Sequence, residues 1–332
     1  QLNRHPAEIP LSVVAADMWR HIGELVDSDC DTRFPGQVRV AENQAELESL
    51  EARASLVHSL GFQHEEIIGR DELYRLLPAL APHCSGALIC RGDGYGRPFH
   101  ALNAFRRKAI ELGVHYRAHT EVETVVRDGD EWRVSTAQGG EYRASVLVNC
   151  AGAWAGNIAA MLGEQVPLRP GAPMMMVTER LPHFIDPVVG AAGHKLSFKQ
   201  MQNGTVLIGG AHLADLDLAH QRTEMNWRKL AVSARSVLAL FPQLEDVRIV
   251  RSWAGVEAFM PDNIPVIGAS TTAPDAYHAF GFSAHGFQLS PVVGRILSQL
   301  ILDRSSELPI DPFRIDRFAI AASGNTGSDR YP

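Results

Sequence analysis

Apolar residues keep helical spacing through the back half of residues 281–301, "GFSAHGFQLSPVVGRILSQLI". Val292, Ile296 and Leu300 form one column and Val293, Leu297 and Ile301 the next. Ser290 followed by Pro291 predicts an N-cap and first-turn pair there. The front half is glycine-rich, which would let something flat or anionic reach backbone N–H groups at a helix N-terminus. The same period predicts a helix over residues 1–27, with Val14, Met18, Trp19, Ile22 and Val26 on one face, and a charged helix over 42–61 closed by Gly61. Further helices are predicted around 70–77, stopped by Pro78, and from Pro98 after a glycine loop. Another covers 224–241, with Trp227, Leu230, Ala234, Val237, Leu238 and Phe241 as its apolar face.

Alternation with period two predicts strands at 36–43, 114–126, 131–137 and 141–150. The last three pair antiparallel through tight turns at 128–130 and 139–140. Residues 145–149, "SVLVN", read as the continuous apolar run of a buried parallel strand. Residues 194–210 predict a hairpin with Asn203 and Gly204 as its two-residue turn, and strands at 247–255, 264–270 and 276–282 follow. This interleaving predicts an α/β chain with discontinuous domains, ending in a disordered tail from Ser323.

Composition narrows the class. A chain of 332 residues with 45% apolar composition can bury a large core and by size defaults to two domains. A net charge of -7 and a pI near 6.1, with no Lys/Arg run, argue against nucleic acid as a partner. No apolar run approaches the ~18–20 residues of a membrane span, so no transmembrane segment is expected. Cys30, Cys84, Cys90 and Cys150 show no metal or CxxC spacing. They read as ordinary buried thiols of a reduced, cytoplasmic protein without a metal. The sequence starts at Gln1 without a methionine, so its silence on targeting carries no weight.

Two further stretches carry candidate chemistry. In residues 145–163, "SVLVNCAGAWAGNIAAMLG", the apolar run breaks at Gly152 and passes into a helix with Trp154, Ile158 and Met161. Strand, glycine turn and helix set a helix N-terminus at the carboxyl end of a sheet, a ligand position that is also an ordinary connection. In residues 251–268, "RSWAGVEAFMPDNIPVIG", Glu257 and Asp262 lie between two strands, as functional carboxylates or as solvated loop charges.

These three stretches, in this order and spacing, resemble the D-amino-acid-oxidase-like family of flavoproteins, which includes glycine oxidase, sarcosine oxidase and the flavin subunits of hydroxyproline dehydrogenase and hydrogen cyanide synthase. The resemblance runs from about residue 20 to 318. It implies an FAD-binding Rossmann-like domain, discontinuous and N-terminally incomplete, with an α+β substrate domain built on an antiparallel sheet. Residues 95–165 and 252–320, with part of 1–30, would form the first, residues 31–94 and 166–251 the second, and 323–332 the disordered tail. Gly152 and Trp154 would lie in a flavin-proximal turn, and Asp262 in the C-terminal flavin signature. Main-chain amides near Gly286, Phe287 and Gln288 would face the isoalloxazine, and backbone at Val122 the adenine. A helix dipole there would favour the charge that collects on reduced flavin.

The implied chemistry is oxidation of the C–N bond of an amino acid or secondary amine to an imine, by hydride transfer to flavin N5. His285 is the titratable candidate beside the ring, or a loop histidine satisfied by a carbonyl. Trp253 and Phe287 read as packing. In glycine oxidase an arginine two residues after "WAG" grips the substrate carboxylate; here that position is Glu257, which suits a cationic amine or a protein partner instead. His194, Lys195 and Lys199 are the alternative positive charges for substrate, with Tyr95 and Arg97 behind them. An electron-accepting subunit or a homo-oligomer would be a partner.

No GxGxxG occurs in the 332 residues, and Gly92, Gly94 and Gly96 form only GxGxG without a preceding strand. The expectation is that the sequence begins just after the ADP cradle, and that residues 1–332 alone hold no stoichiometric FAD. A cofactor-free binding or scaffold protein of the same fold remains the alternative.

Overall fold

The computed structural model describes residues 1–318, which divide into two compact units. Unit 1 comprises Gln1–Ile9, Trp19–Lys108 and Gly171–Val256; unit 2 comprises Pro10–Met18, Ala109–Pro170 and the chain from Glu257 onward. The tail expected from Ser323 lies outside the described residues.

Unit 1 is built on an eight-stranded sheet. Its order is Ile249–Ala254, Pro173–Arg180, Thr205–Leu213, Ser197–Gln200, Val188–Ala191, Gln37–Ala41, Gly86–Cys90 and Glu66–Gly69. Neighbours run antiparallel except Gln37–Ala41 with Val188–Ala191, which run parallel. Pro173–Arg180 buries Met174, Met176 and Thr178 and leaves Met175 and Val177 partly exposed, the period-two pattern of a strand with two different faces. The buried face packs under helix Trp227–Leu240, where Leu230, Val237 and Leu240 meet Met174, Met176, Phe198, Val206 and Ile208. Phe198 stacks on Phe241 with centroids 4.6 Å apart. Fully burying such a side chain contributes ~1.5–3 kcal/mol. At the other end, Gly86–Cys90 is buried at every position, because Leu47, Leu50 and Ala54 of helix Gln44–Ser59 cover its second face.

Unit 2 holds a meander, Val122–Asp128, Glu131–Thr136 and Glu141–Ala144, and a sheet ordered Val266–Ala269, Ala276–Phe280, Leu147–Asn149. The last two strands of that order run parallel, and Ala276–Phe280 is buried throughout. A polar network sits inside. Asn149 Nδ2 donates to Ala155 O at 3.0 Å and meets His278 Nδ1 at 3.3 Å, while its Oδ1 accepts from Ala151 N–H at 3.2 Å. His278, fully buried, therefore carries its proton on Nε2 and donates to Glu164 Oε2 at 2.8 Å. Glu164 also accepts from Thr271 N–H at 2.7 Å, Thr271 Oγ1 at 3.0 Å and Ser270 Oγ at 2.9 Å. Every polar group of this cluster is used.

Several expectations change. The predicted strand 141–150 is two strands, Glu141–Ala144 and Leu147–Asn149, in different sheets: Leu147 N–H turns to Asp275 O as the chain changes partner. Residues 145–149 are not buried on both sides; they end on a sheet edge, with Val148 40% exposed. Residues 114–121 precede the strand that begins at Val122. The first helix runs Ile9–Arg20, and a separate turn of helix, Ile22–Val26, follows His21. The hairpin loop has three residues, not two. Met201 N–H bonds to Thr205 O, Gly204 N–H bonds to Met201 O, and only Gly204 is left-handed at φ +87, whereas a two-residue turn of that kind needs both residues so. Trp227, expected inside, is 66% exposed at the helix start. Cys150 is exposed, while Cys30, Cys84 and Cys90 are buried. Among the described residues no helix is long and apolar enough to cross a membrane, and no group of three or more His, Cys, Asp and Glu gathers as a metal site.

Burial by itself would raise the Glu164 carboxyl, but the donors from His278, Thr271 and Ser270 more than offset it and hold it below its ordinary value. Glu164→Gln is expected to cost about 1–3 kcal/mol, since an amide turns a donor toward donors. The carboxylate's contribution is complete above about pH 4.5 and is lost as pH falls through the lower folded value. Denaturant midpoints of wild type and variant should differ at neutral pH and converge in acid.

Candidate active site

The loop that leaves strand Ala276–Phe280 turns sharply three times. Gly281 has φ +72, and Ser283 and Ala284, which are not glycines, have φ +49 and +70. Left-handed backbone costs a non-glycine residue roughly 1–2 kcal/mol, so the surroundings must hold it. Ser283 does so: its N–H bonds to Ala258 O at 3.0 Å, its Oγ accepts from Met260 N–H at 3.1 Å and donates to Gly281 O at 3.3 Å. Gly281 is doubly constrained, because an added Cβ would lie 2.5 Å from Met260 Cγ.

The loop feeds helix Gly286–Leu302, with His285 at its N-cap. The helix thus starts four residues before the expected cap at Ser290, and Pro291 lies inside it. Its missing N–H would have gone to Phe287 O; Ser290 Oγ donates there instead, at 3.0 Å. The predicted apolar columns are buried except at Ile301, which is partly exposed; Val292 and Ile296 are buried completely. Gly286 is not left-handed. A Cβ there would lie 3.1 Å from Phe282 Cβ, a close contact, so it is packing against Phe282 and not its backbone angles that disfavours a larger side chain within the chain itself. Gln288 anchors the first turn: its Nε2 donates to Ser12 O at 2.9 Å and its Oε1 accepts from Ser12 Oγ at 3.3 Å.

Glu257, in strand Glu257–Phe259, sits against this loop. The Ala284 N–H acts on its carboxyl, while Oε2 is buried with no hydrogen-bond partner among the described residues. Burial pushes the acid above its ordinary value and the amide only partly pulls it back. Asp262 has a structural partner: Arg317 Nε donates to Oδ2 at 2.8 Å, and Oδ1 accepts from Ile264 N–H at 3.3 Å. Gly152, at φ +55, opens a short turn, and nothing lies within 4 Å of where its Cβ would be. Trp154 follows, 38% exposed, and Val122 is 41% exposed at the start of its strand.

The other candidates lie in unit 1. His194 Nδ1 is 3.0 Å from Glu42 Oε1, Lys195 is exposed, and Arg97 Nη1 donates to Asp31 Oδ2 at 3.2 Å. Lys199 is partly buried with its Nζ 5.0 Å above the Tyr95 ring, and burial pushes its ammonium below the usual lysine range. Such a cation–π contact contributes ~0.5–2 kcal/mol and replaces only part of the lost hydration. Sequence reasoning brought Glu257 and the 281–288 loop into one argument, and the fold joins them through Ala284. It missed Ser283, Asn149, Glu164, His278 and Ser12. Only Asn149 left a trace, as the polar residue closing an apolar run.

Strand-to-helix turns of this kind are where α/β proteins commonly hold ligands, at the carboxyl ends of their strands. The family pattern "FAD dependent oxidoreductase" (DAO) matches residues 2–300, and the chain belongs to that family, as its motifs suggested. The hydrogen cyanide synthase subunit HcnC of Pseudomonas aeruginosa is 28% identical over 254 residues, covering 76% of this chain and 59% of that protein. The chain therefore spans less than two thirds of that relative's length. The L-proline dehydrogenase of P. horikoshii superposes with TM-score 0.87 at 24% identity, over 96% of this chain and 84% of that one. The glycine oxidase of Geobacillus kaustophilus does so with TM-score 0.85 at 20% identity, over 94% and 83%. At those identities the likeness shows the α/β fold with mixed and antiparallel sheets.

For Glu257 the sign of the pH effect is opposite to that of Glu164. A buried acid with a raised value costs nothing below about pH 4.5, and its cost grows as pH rises through the folded value. Glu257→Gln is expected to raise the denaturant midpoint at neutral pH and to leave it unchanged in acid; a midpoint lowered at neutral pH would contradict this placement.

Proposed function

We propose that this protein is an FAD-dependent oxidoreductase that oxidises the C–N bond of an amino acid or secondary amine to an imine. The observation that carries the proposal is the 281–288 loop, left-handed at three residues and ending at the start of a 17-residue helix. Flavin, when bound, supplies the acceptor for a hydride from the substrate carbon. The chain's own groups would hold and tune it. Main chain from Gly286 to Gln288 would face the ring, and the helix start would favour negative charge there. The Ser12–Gln288 bonds would keep that turn from shifting. The open side of Gly152 fits a flat group, with Trp154 beside it, and the backbone at Val122 would meet the adenine. On this reading unit 2 is the larger part of an FAD-binding domain and unit 1 the substrate domain. Asp262 supports the site through Arg317, and His285 is the titratable side chain next to the ring. HcnC is by its name a subunit, which favours a partner that takes the electrons onward.

Purified protein in which a strand–GxGxxG–helix segment precedes Gln1 should show visible flavin absorbance that bleaches anaerobically with at least one member of a panel of D-, L- and N-alkyl amino acids. Bound flavin that no amine bleaches would overturn the assignment. Gly281→Ala is expected to lower flavin content while leaving far-ultraviolet circular dichroism largely intact, since the new methyl displaces the loop against Met260.

A further inference from the structure

Four neighbouring strands of unit 1 have a second face, opposite the Phe198 core. Their register defines its rows: Ser197, Gly209, Met175 and Trp253 share one, and Lys199, Leu207, Val177 and Arg251 the next. Met175, Val177, Leu207 and Trp253 make an apolar floor that is only partly buried. One cation is set into it. Among the described residues the Lys199 ammonium makes no hydrogen bond and no ion pair, and it lies 5.0 Å above the Tyr95 ring. The neighbouring basic side chains are already engaged or solvated: His194 on Glu42, Arg97 on Asp31, Lys195 in solvent, Arg251 exposed above the Trp253 ring. A partly desolvated ammonium with unused donors beside an apolar surface has the chemistry of a receptor for an apolar carboxylate.

We propose that Lys199 receives the substrate carboxylate and that the apolar floor of Met175, Val177, Leu207 and Trp253 receives an aliphatic side chain, so that the substrate is an apolar amino acid. The word substrate rests on the oxidoreductase reading above; the carboxylate site does not. Binding is read by titration calorimetry on the full chain with 4-methylpentanoate and with its uncharged primary amide. The acid is expected to bind about tenfold or more tightly than the amide. Lys199→Met should weaken the acid about tenfold or more and leave the amide unchanged, Lys199→Arg should retain part of the preference, and Lys195→Met should change neither. Circular dichroism of each variant establishes that it is folded, and Lys199→Gln replaces the methionine variant if that one is not. Equal binding of acid and amide to wild type, no binding of the acid, or undiminished binding to a folded Lys199→Met protein would overturn the proposal. Acid binding without any amine-dependent bleaching would instead overturn the oxidoreductase reading and leave the carboxylate site standing.

Discussion

A histidine buried without water must satisfy both ring nitrogens, and in unit 2 that requirement organises everything around it. His278 lies on a strand buried along its whole length, so its partners come from other elements: Asn149 from the parallel neighbour, Glu164 from beyond the following helix. Asn149 has the further task of bonding Ala151 and Ala155, which fixes the turn at Gly152. Glu164 reaches the hairpin at Ser270 and Thr271. One buried ring thus sets the relative positions of two strands, a hairpin and a glycine turn. Half of such a network would be worse than none, because each orphaned group would keep its full desolvation cost.

In contrast to this satisfied cluster, one acid of unit 2 and one base of unit 1 keep unused hydrogen-bonding capacity among the described residues. Glu257 and Lys199 are both desolvated, the acid with one oxygen unpartnered and the base with no acceptor. Other inward charges are paired, as Arg53 is with Glu65 and Arg317 with Asp262. Glu257 and Lys199 each stand in their own unit as a desolvated group with unused hydrogen-bonding capacity, the kind of group that a ligand can satisfy.

Much of this was legible from the residues. Period-two and period-3.6 patterns located the hairpin, the 286–302 helix face and the charged 44–59 helix, because those elements bury one side and water covers the other. Three motifs in register identified the family. Boundaries failed where a neighbour rather than the local sequence decided: the strand at 141–150 breaks because Leu147 finds Asp275, and the helix extends past Ser290 because a hydroxyl stands in for the proline's missing donor.

By itself, then, the sequence determined the alternation of elements, the glycine-rich strand ends and the absence of an arginine at position 257. Those properties depend on residues near one another along the chain, where hydrophobic period and backbone freedom act directly. Only the tertiary structure decided which charges are paired. Asp262 and Arg317 are 55 residues apart, Glu164 and His278 114. Lys195 and Lys199 look alike in sequence, yet one points to water and the other into a sheet face above Tyr95. Desolvation belongs to a place in the fold, and no local pattern encodes it.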